Sequence, residues 1–404
     1  MLFLFLIAIF TLSLAGLAHT YLLYPLILRI LAPDKSKVSP DEPQEWPLVS
    51  VLMAVYNEEG VIRAKLESLD GLDYPKDRLR IFIGSDNSAD QTNDIVRAYA
   101  TGHPAIRFFP FPNRSGKPGV INRLSELALA ETPASPGHLF FMTDANVLFD
   151  RLTLKNLARH FRNPKVALVD AKVIHTGIRS AGISRSENQY ISGEVWLKHR
   201  EGQAWGRMMG PFGGCYALRS DFFTQVPGNY LVDDFYIAMR ALEQGGAAIN
   251  DLEALCYEPI SHDWREEFRR KSRISAGNFQ NMKTFLHLWW PPFGTLGFAF
   301  FSHKVLRWLG PFLISAMWLS TVSLALCFHN FFWAVVFCSI TIAFILAIGL
   351  DPLLRTASLQ WLPAKSLRYF VLMNIALLTG FFKYIKGIKN NVWEPTKRDQ
   401  NIPA

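Results

Sequence analysis

Two neighbouring carboxylates, Asp233 and Asp234, open an amphipathic stretch that runs on through Gln244. Paired carboxylates are costly unless solvated, metal-bound or protonated in turn, and their repulsion raises one pKa towards the range a general base needs. The same two acids also suit a helix N-terminus, where the macrodipole favours negative charge. Arg270 and Arg273 stand three positions apart in Arg270-Lys271-Ser272-Arg273-Ile274. On a helix that spacing puts both guanidinium forks on one face, where they can clamp a diphosphate or lie as a solvated basic face beside anionic lipid. Asp144 and Asn146, in Thr143-Asp144-Ala145-Asn146, offer hard oxygens in a short loop. Such oxygens suit Mg²⁺ or Mn²⁺ shared with substrate phosphates, and an Asx turn after a strand asks for the same residues.

Hydrophobic periodicity supplies the elements that would position these groups. LVSVLMAVY, RIFIGSD, IRFFPF, LFFMTDAN and VALVDAKV are β-like, and Glu58–Leu69, Asp90–Ala100, Gly119–Ala130 and Arg151–Phe161 have helical spacing. Repeated βα units predict an α/β fold with a mostly parallel, Rossmann-like sheet covered on both faces. Ligands bind such sheets at the carboxyl ends of the strands, where Tyr56-Asn57-Glu58-Glu59, Ser85-Asp86-Asn87-Ser88 and the Asp144 loop all fall. Asp86 also suits a turn or N-cap before the helix near Asp90. There is no GxGxxG after the first strand and no P-loop, which argues against dinucleotide-dependent dehydrogenases and nucleotide-triphosphate hydrolases.

The 404 residues allow two or three domains, and half of them are apolar. Charge thins out over Met1–Leu31 and Leu309–Leu350. No basic residue precedes Arg29, as a signal peptide's n-region would require, so the first stretch reads as a spanning helix. Its basic flank, Arg29, Lys35 and Lys37, lies on the C-terminal side and predicts Met1 outside and the next domain in the cytoplasm of an inner-membrane, multi-pass protein. Val305–Phe328 and Phe331–Leu350 are each long enough to cross, since about 20 apolar residues suffice. Tyr369–Phe382 is shorter and basic on both sides, which leaves a tilted span with snorkelling lysines, a re-entrant segment and an interfacial segment open. Phe285–Phe301, with Trp289-Trp290-Pro291-Pro292, suits the headgroup region. The division predicted is an N-terminal helix (1–31), a linker (32–47), a globular domain (48–281), an interfacial segment (282–304), a helical bundle (305–390) and a tail (391–404). The net charge of +8 collects at membrane flanks and around Arg265–Arg273, without a recognition helix or an RNA-binding aromatic motif, so lipid and a phosphate-bearing substrate are expected rather than nucleic acid. The four cysteines have no CxxC spacing, and neither a zinc site nor a disulfide framework is expected.

The ordered set VSVLMAVYNEE, GSDNSADQT, SGKPGVIN, FMTDANV, GPFGGCYALRS, VDDF and RRKSR, with the tail Trp393-Glu394-Pro395-Thr396-Lys397-Arg398, resembles the membrane-bound family 2 glycosyltransferases, relatives of cellulose, hyaluronan and poly-N-acetylglucosamine synthases. The resemblance implies a GT-A domain and an inverting sugar transfer from a nucleotide sugar, a UDP-sugar above all, to a saccharide or lipid acceptor. It implies Asp234 as catalytic base with Asp233 beside it, and Arg270 and Arg273 at the leaving diphosphate. Asp144 and Asn146 would hold the metal, Asp144 facing the nucleotide sugar as well. Tyr56, Glu58 and Asp86 would line the nucleoside pocket, Asp86 reading the base, with Lys117 near the nucleotide. Gly213, Gly214 and Cys215 would lie under the acceptor. Three positions depart from the pattern: Asn146 replaces the second metal Asp, Asp233 the usual Glu, and Ile274 a Trp of the acceptor site, a loss that bears on processive polymerisation. Three functions stay open: polysaccharide synthesis, with or without export subunits, transfer of one sugar to a polyprenyl phosphate or ceramide-like lipid, and an inactive sugar-nucleotide sensor or scaffold.

Overall fold

The computed structural model describes residues 1–32, 43–177, 184–259, 264–356, 361–388 and 391. Lys35 and Lys37, His262 and the tail motif 393–398 lie outside them. The chain forms two compact units, one of Met1–Leu31, Ser180–Ile191 and His262–Gly387, the other of Ala32–Arg179, Ser192–Ser261 and Ile388–Ala404.

The second unit is built on an eight-stranded mixed sheet. In chain order its strands are β1 (Leu48–Val55), β2 (Leu79–Asp86), β3 (Ile106–Phe111), β4 (His138–Thr143), β5 (Leu148–Phe149), β6 (Val166–Thr176), β7 (Cys215–Arg219) and β8 (Ala247–Pro259). They lie in the order β3-β2-β1-β4-β7-β6-β8-β5. β1 is central, with Val49 opposite Leu79 on one side and Leu139 on the other, both parallel. Every residue from Val49 to Val55 is buried, which is why the strand reads as an unbroken apolar run and not as an alternation. The helices α1 (Leu2–Leu31), α2 (Ile62–Asp70), α3 (Thr92–Thr101) and α4 (Gly116–Glu131) come first in the chain, the last three connecting parallel strands. α5 (Thr153–Ala158), α6 (Ser184–Trp205) and α7 (Asp233–Glu243) follow. The five strands read from periodicity are all present. β7 is antiparallel to both β4 and β6, so the sheet turns mixed at its centre.

In the first unit, α1 has a mean hydropathy of 2.2, α9 (Gly310–Cys327) of 1.6, and Phe331–Leu354 within α10 (Phe331–Thr356) of 2.6. Among the described residues these three helices are long and apolar enough to cross a membrane. Two boundaries differ from the sequence reading. The span expected from Val305 begins at Gly310, because a π-helical turn over Phe300–Val305 and a short helical turn Leu306–Trp308 come first. Tyr369–Phe382 lies inside a 24-residue helix, α11 (Leu362–Ile385), which is long enough to cross but is not one of the three apolar helices. α11 packs on α8 (Trp264–Thr284): Ser275 Oγ donates to Leu377 O at 2.9 Å, and Phe279 meets Phe381 edge-on at 5.1 Å. Trp290 and Phe293, 62% and 81% exposed, leave aromatic surface on the segment before α9.

Candidate active site

The carboxyl ends of β1 and β2 are clasped together by side chains. Asn57 N–H donates to Ser88 Oγ at 3.1 Å, and Asn57 Oδ1 accepts from Ala89 N–H at 2.8 Å. Glu59 N–H donates to Asp90 Oδ2 at 3.1 Å, and its carboxylate accepts from Gln91 N–H at 2.9 Å. Glu58 N–H finds Thr92 Oγ1 at 2.8 Å. Asn57 and Asn87 take positive φ, 51° and 61°, a conformation asparagine tolerates better than most residues. The two polar motifs therefore make one rigid platform, on which Tyr56 and Glu58 are half-buried.

Asp86 is fully buried at the end of β2. Its carboxylate accepts from Ser115 N–H at 2.6 Å, Gly116 N–H at 3.1 Å, Ser115 Oγ at 3.3 Å and Arg114 Nε at 3.3 Å. This is the anchor of the loop entering α4, and a base read by Asp86 would have to displace one of those donors. The turn or N-cap before Asp90 that its position suggested is not among these contacts, which go to residues 114–116, and Asp90 itself accepts from Thr92 N–H. Arg114, which the sequence reading passed over, also covers the Tyr56 ring at 3.3 Å from its centroid. Its only sequence signal is its place directly before Ser115-Gly116-Lys117.

Lys117, one residue into α4, gathers the acids. Its Nζ donates to Asp144 Oδ1 at 2.6 Å and lies 3.9 Å from Asp233 Oδ2. Burial alone would lower its pKa, but Asp144, Asp233 and Asp234 outweigh it and hold the ammonium above its ordinary value. Asp233 and Asp234 begin α7, so the helix N-terminus contributes as well. Asp234 Oδ1 accepts from Phe235 N–H at 2.7 Å. Desolvation, then the charge of Asp233, push Asp234 up to about 6 against the opposing pull of Lys117. As a residue Asp234 is half-buried, whereas Asp233 beside it is buried. Gly213 packs against it: a Cβ there would lie 2.4 Å from Asp234 Oδ2. Gly214 faces Val147 and Phe212 instead, and Cys215 is buried in β7.

Asn146 turns its amide Nδ2 to Glu258 Oε1 at 3.4 Å, which leaves the amide oxygen as its donor atom for a cation. Among the described residues no three His, Cys, Asp or Glu side chains form a metal-holding group. A metal bound through one carboxylate, an amide oxygen and substrate phosphates needs no such group, and the lysine ammonium resting on Asp144 marks the place as one that attracts positive charge. The residues present fit a divalent ion on those terms.

Lys65 was also missed, because an isolated lysine in an amphipathic helix looks like surface. It is fully buried beneath the Asp144 loop, donating to Thr143 Oγ1 at 2.6 Å and to the Val147 carbonyl, with its Nζ 3.6 Å from the centre of the Phe149 ring. Thr143 Oγ1 in turn donates to Gly214 O at 2.9 Å, so one chain of hydrogen bonds ties α2, the end of β4 and the residue before β7. Burial lowers Lys65 from 10.5 to about 7. The folded chain thus sheds that proton more readily than the unfolded one, and the cost of burying the charge falls as pH rises from 7 towards 10.5. Lys65→Met is expected to leave the Val147 carbonyl unpaired at a cost of about 1–3 kcal/mol and to raise the donor KM. Thermal melting and donor titration of the same sample check both effects.

Arg270 and Arg273 lie on α8 of the first unit. Glu267, 1% exposed, takes Arg270 through two hydrogen bonds, 2.9 Å from Nε and 3.1 Å from the terminal nitrogen, and Lys271 Nζ lies 3.2 Å from the same carboxylate. The basic face is therefore oriented by a buried acid that the spacing of the arginines did not reveal.

A family model described as Glycosyl transferase family 2 matches residues 50–226, and one described as Glycosyl transferase family group 2 matches residues 139–382, more than half of the chain. The chain is 27% identical over 240 residues to the probable glycosyltransferase YdaM of Bacillus subtilis, covering 58% of this chain and 56% of that protein. It is 26% identical over 156 residues to the beta-monoglucosyldiacylglycerol synthase of Trichormus variabilis, covering 38% of this chain and 32% of that one. The matches thus span about half or less of these relatives' lengths. In fold it is similar to a mannosyltransferase from Pyrobaculum calidifontis, PcManGT, solved with GDP-Man and Mn²⁺, at a TM-score of 0.68 and 19% identity over 95% of this chain and 99% of that one. Strand order, clustered strand-end acids and the family models agree, and the chain belongs to the family 2 glycosyltransferases of GT-A fold.

Proposed function

We propose that the chain is an inverting, membrane-bound hexosyltransferase that moves a sugar from a nucleotide sugar, a UDP-sugar in the first instance, to a saccharide or lipid acceptor on the cytoplasmic side of the cell membrane. The observation that carries this reading is the cluster of Lys117 with Asp144, Asp233 and Asp234, in which one carboxylate is raised to about 6 while a lysine remains charged beside it. A base and a cation held together in one place are what displacement at a sugar carbon with a departing diphosphate requires. Asp234 takes the proton of the acceptor hydroxyl as that oxygen attacks the anomeric carbon. Lys117 holds the diphosphate. Tyr56, Glu58 and Asp86, with Arg114, shape the nucleoside side, while Gly213, Gly214 and Cys215 leave room under the acceptor. Asp144 and Asn146 would hold Mg²⁺ or Mn²⁺, which when bound would neutralise charge building on the diphosphate.

The test is turnover of a panel of UDP- and GDP-sugars by the detergent-purified full chain with Mg²⁺ or Mn²⁺, reading released nucleotide together with product size. Metal-dependent release with one donor is the expected result, and a ladder of products would assign polysaccharide synthesis. No release from any donor, in the presence of both saccharide and lipid acceptors, would overturn the transferase reading in favour of a nucleotide-sugar sensor.

A further inference from the structure

β6 is an interior strand with a carboxylate in its apolar run. Asp170 has no exposed surface, and its neighbours Val169 and Ala171 are buried as well. A buried carboxylate is costly unless it is paired and hydrogen-bonded, and the chemistry of the strand-end acids makes no use of this one. Its oxygens are engaged within the protein. Lys198 of α6 donates to Oδ2, Asn250 Nδ2 of β8 lies 3.4 Å from the same oxygen, and Oδ1 accepts from the backbone N–H of Phe212 at 2.7 Å.

Phe212 belongs to the segment that seats the base. Residues 209–214 lead from the end of α6 into β7. Glu201 of α6, fully buried, accepts from Met209 N–H at 3.0 Å. Phe212 O accepts from Cys215 N–H at 3.0 Å, which closes a turn around Gly213 and Gly214. Gly210, at a φ of 79°, lies against the Phe235 ring, where a Cβ would stand 2.7 Å from Cδ2, and Gly213 lies against Asp234 itself. The segment thus meets the first turn of α7 at two places and is held by two buried acids. Of these, Asp170 grips the residue directly before Gly213, so it is the one set to fix where that glycine stands.

We infer that Asp170 is a positioning residue for sugar transfer: by holding Phe212 N–H it fixes the turn from Phe212 to Cys215, and with it the seat of the Asp234 carboxylate, while Lys198 balances its charge. Being fully buried, Asp170 meets no substrate and acts only through that turn. The inference rests on Asp234 as the base. It makes an acceptor for Phe212 N–H the essential feature, and not the charge on that acceptor.

The experiment compares two double variants of the full chain, both of which remove the ion pair. Asp170→Leu with Lys198→Met keeps the branched shape and leaves Phe212 N–H without an acceptor, and exchanging a buried ion pair for apolar groups commonly preserves stability. Asp170→Asn with Lys198→Met keeps an oxygen for that N–H. With a nucleotide sugar the parent turns over, the leucine double is expected to lose about 100-fold in kcat, the cost of a displacement of about 1 Å at a reacting group. Its donor KM and UDP affinity are expected to stay near the parent values. The asparagine double is expected to recover most of the lost kcat. Adding Gly213→Ala to the leucine double is expected to cost little more, because both changes disturb the same contact. Equal kcat in the two doubles, a loss that falls on donor KM or UDP affinity, or full additivity with Gly213→Ala overturns the inference. A leucine double that melts well below the asparagine double overturns it too, since the pair would then serve folding alone. Asp234→Asn measured beside them separates the two readings: parent-like turnover there removes the base, whereas its loss together with equal doubles removes only Asp170.

Discussion

Replacing Asp234 by Asn is expected to lower sugar transfer by about 10²–10⁴-fold, the usual contribution of a positioned general base, while nucleotide binding stays near the parent value. Asparagine keeps the shape and can still accept from Phe235 N–H, but it cannot take a proton. In the parent, transfer should rise with pH through about 6, where Asp234 ionises, and then level off. The same substitution carries a stability signature of opposite sense. The folded pKa of about 6 exceeds the ordinary 3.8, so between those values the folded chain holds more protons than the unfolded one, and parent stability falls as pH rises across that window. Asp234→Asn is therefore expected to melt above the parent beyond pH 6, with the difference closing as pH drops towards 4. Initial rates and melting curves over pH 4–8 decide it, and a variant with parent-like turnover would remove Asp234 from the base role.

Gly213→Ala should be nearly as damaging without changing any ionisable group. Its methyl would sit 2.4 Å from Asp234 Oδ2 and 3.0 Å from Cγ, so the carboxylate has to move by about 1 Å to reach ordinary contact. A displacement of that size at a reacting group costs about 100-fold in rate. Gly228→Ala is the matching control, since a Cβ at Gly228 meets nothing within 4 Å and should leave turnover unchanged. Steady-state kinetics of the two variants checks the contrast. The expected split is a fall in kcat with donor KM nearly constant for Gly213→Ala, because the nucleotide platform is made by other loops.

The amino-acid sequence by itself determined the parallel half of the sheet and the apolar helices. Strands β1, β2 and β4 are buried along their length and have to be continuous apolar runs, and a membrane-crossing helix has to be apolar for about 20 residues, so both kinds of element are written locally. The strand-end motifs were legible for the same reason, each following its strand directly. What stayed hidden was partnership across the chain. β8 alternates buried and half-exposed positions and carries acids, and β5 is two residues long, so neither leaves a pattern. Lys65 looks like any helix-surface lysine until the fold buries it under residues about 80 positions away. Asp86 could be assigned as a turn residue or a base reader from its position. Only the return of residues 114–116 to the end of β2 decides that its carboxylate is already engaged. Arg270 likewise pointed to a phosphate clamp by spacing, while the buried Glu267 that orients it is a matter of how α8 packs. The physical divide is one of range. Periodicity and hydropathy record what a residue's own segment must bury, whereas the charge state of Asp234, the contact of Gly213 with it and the hold of Asp170 on Phe212 depend on neighbours that only the tertiary structure brings within a few ångströms.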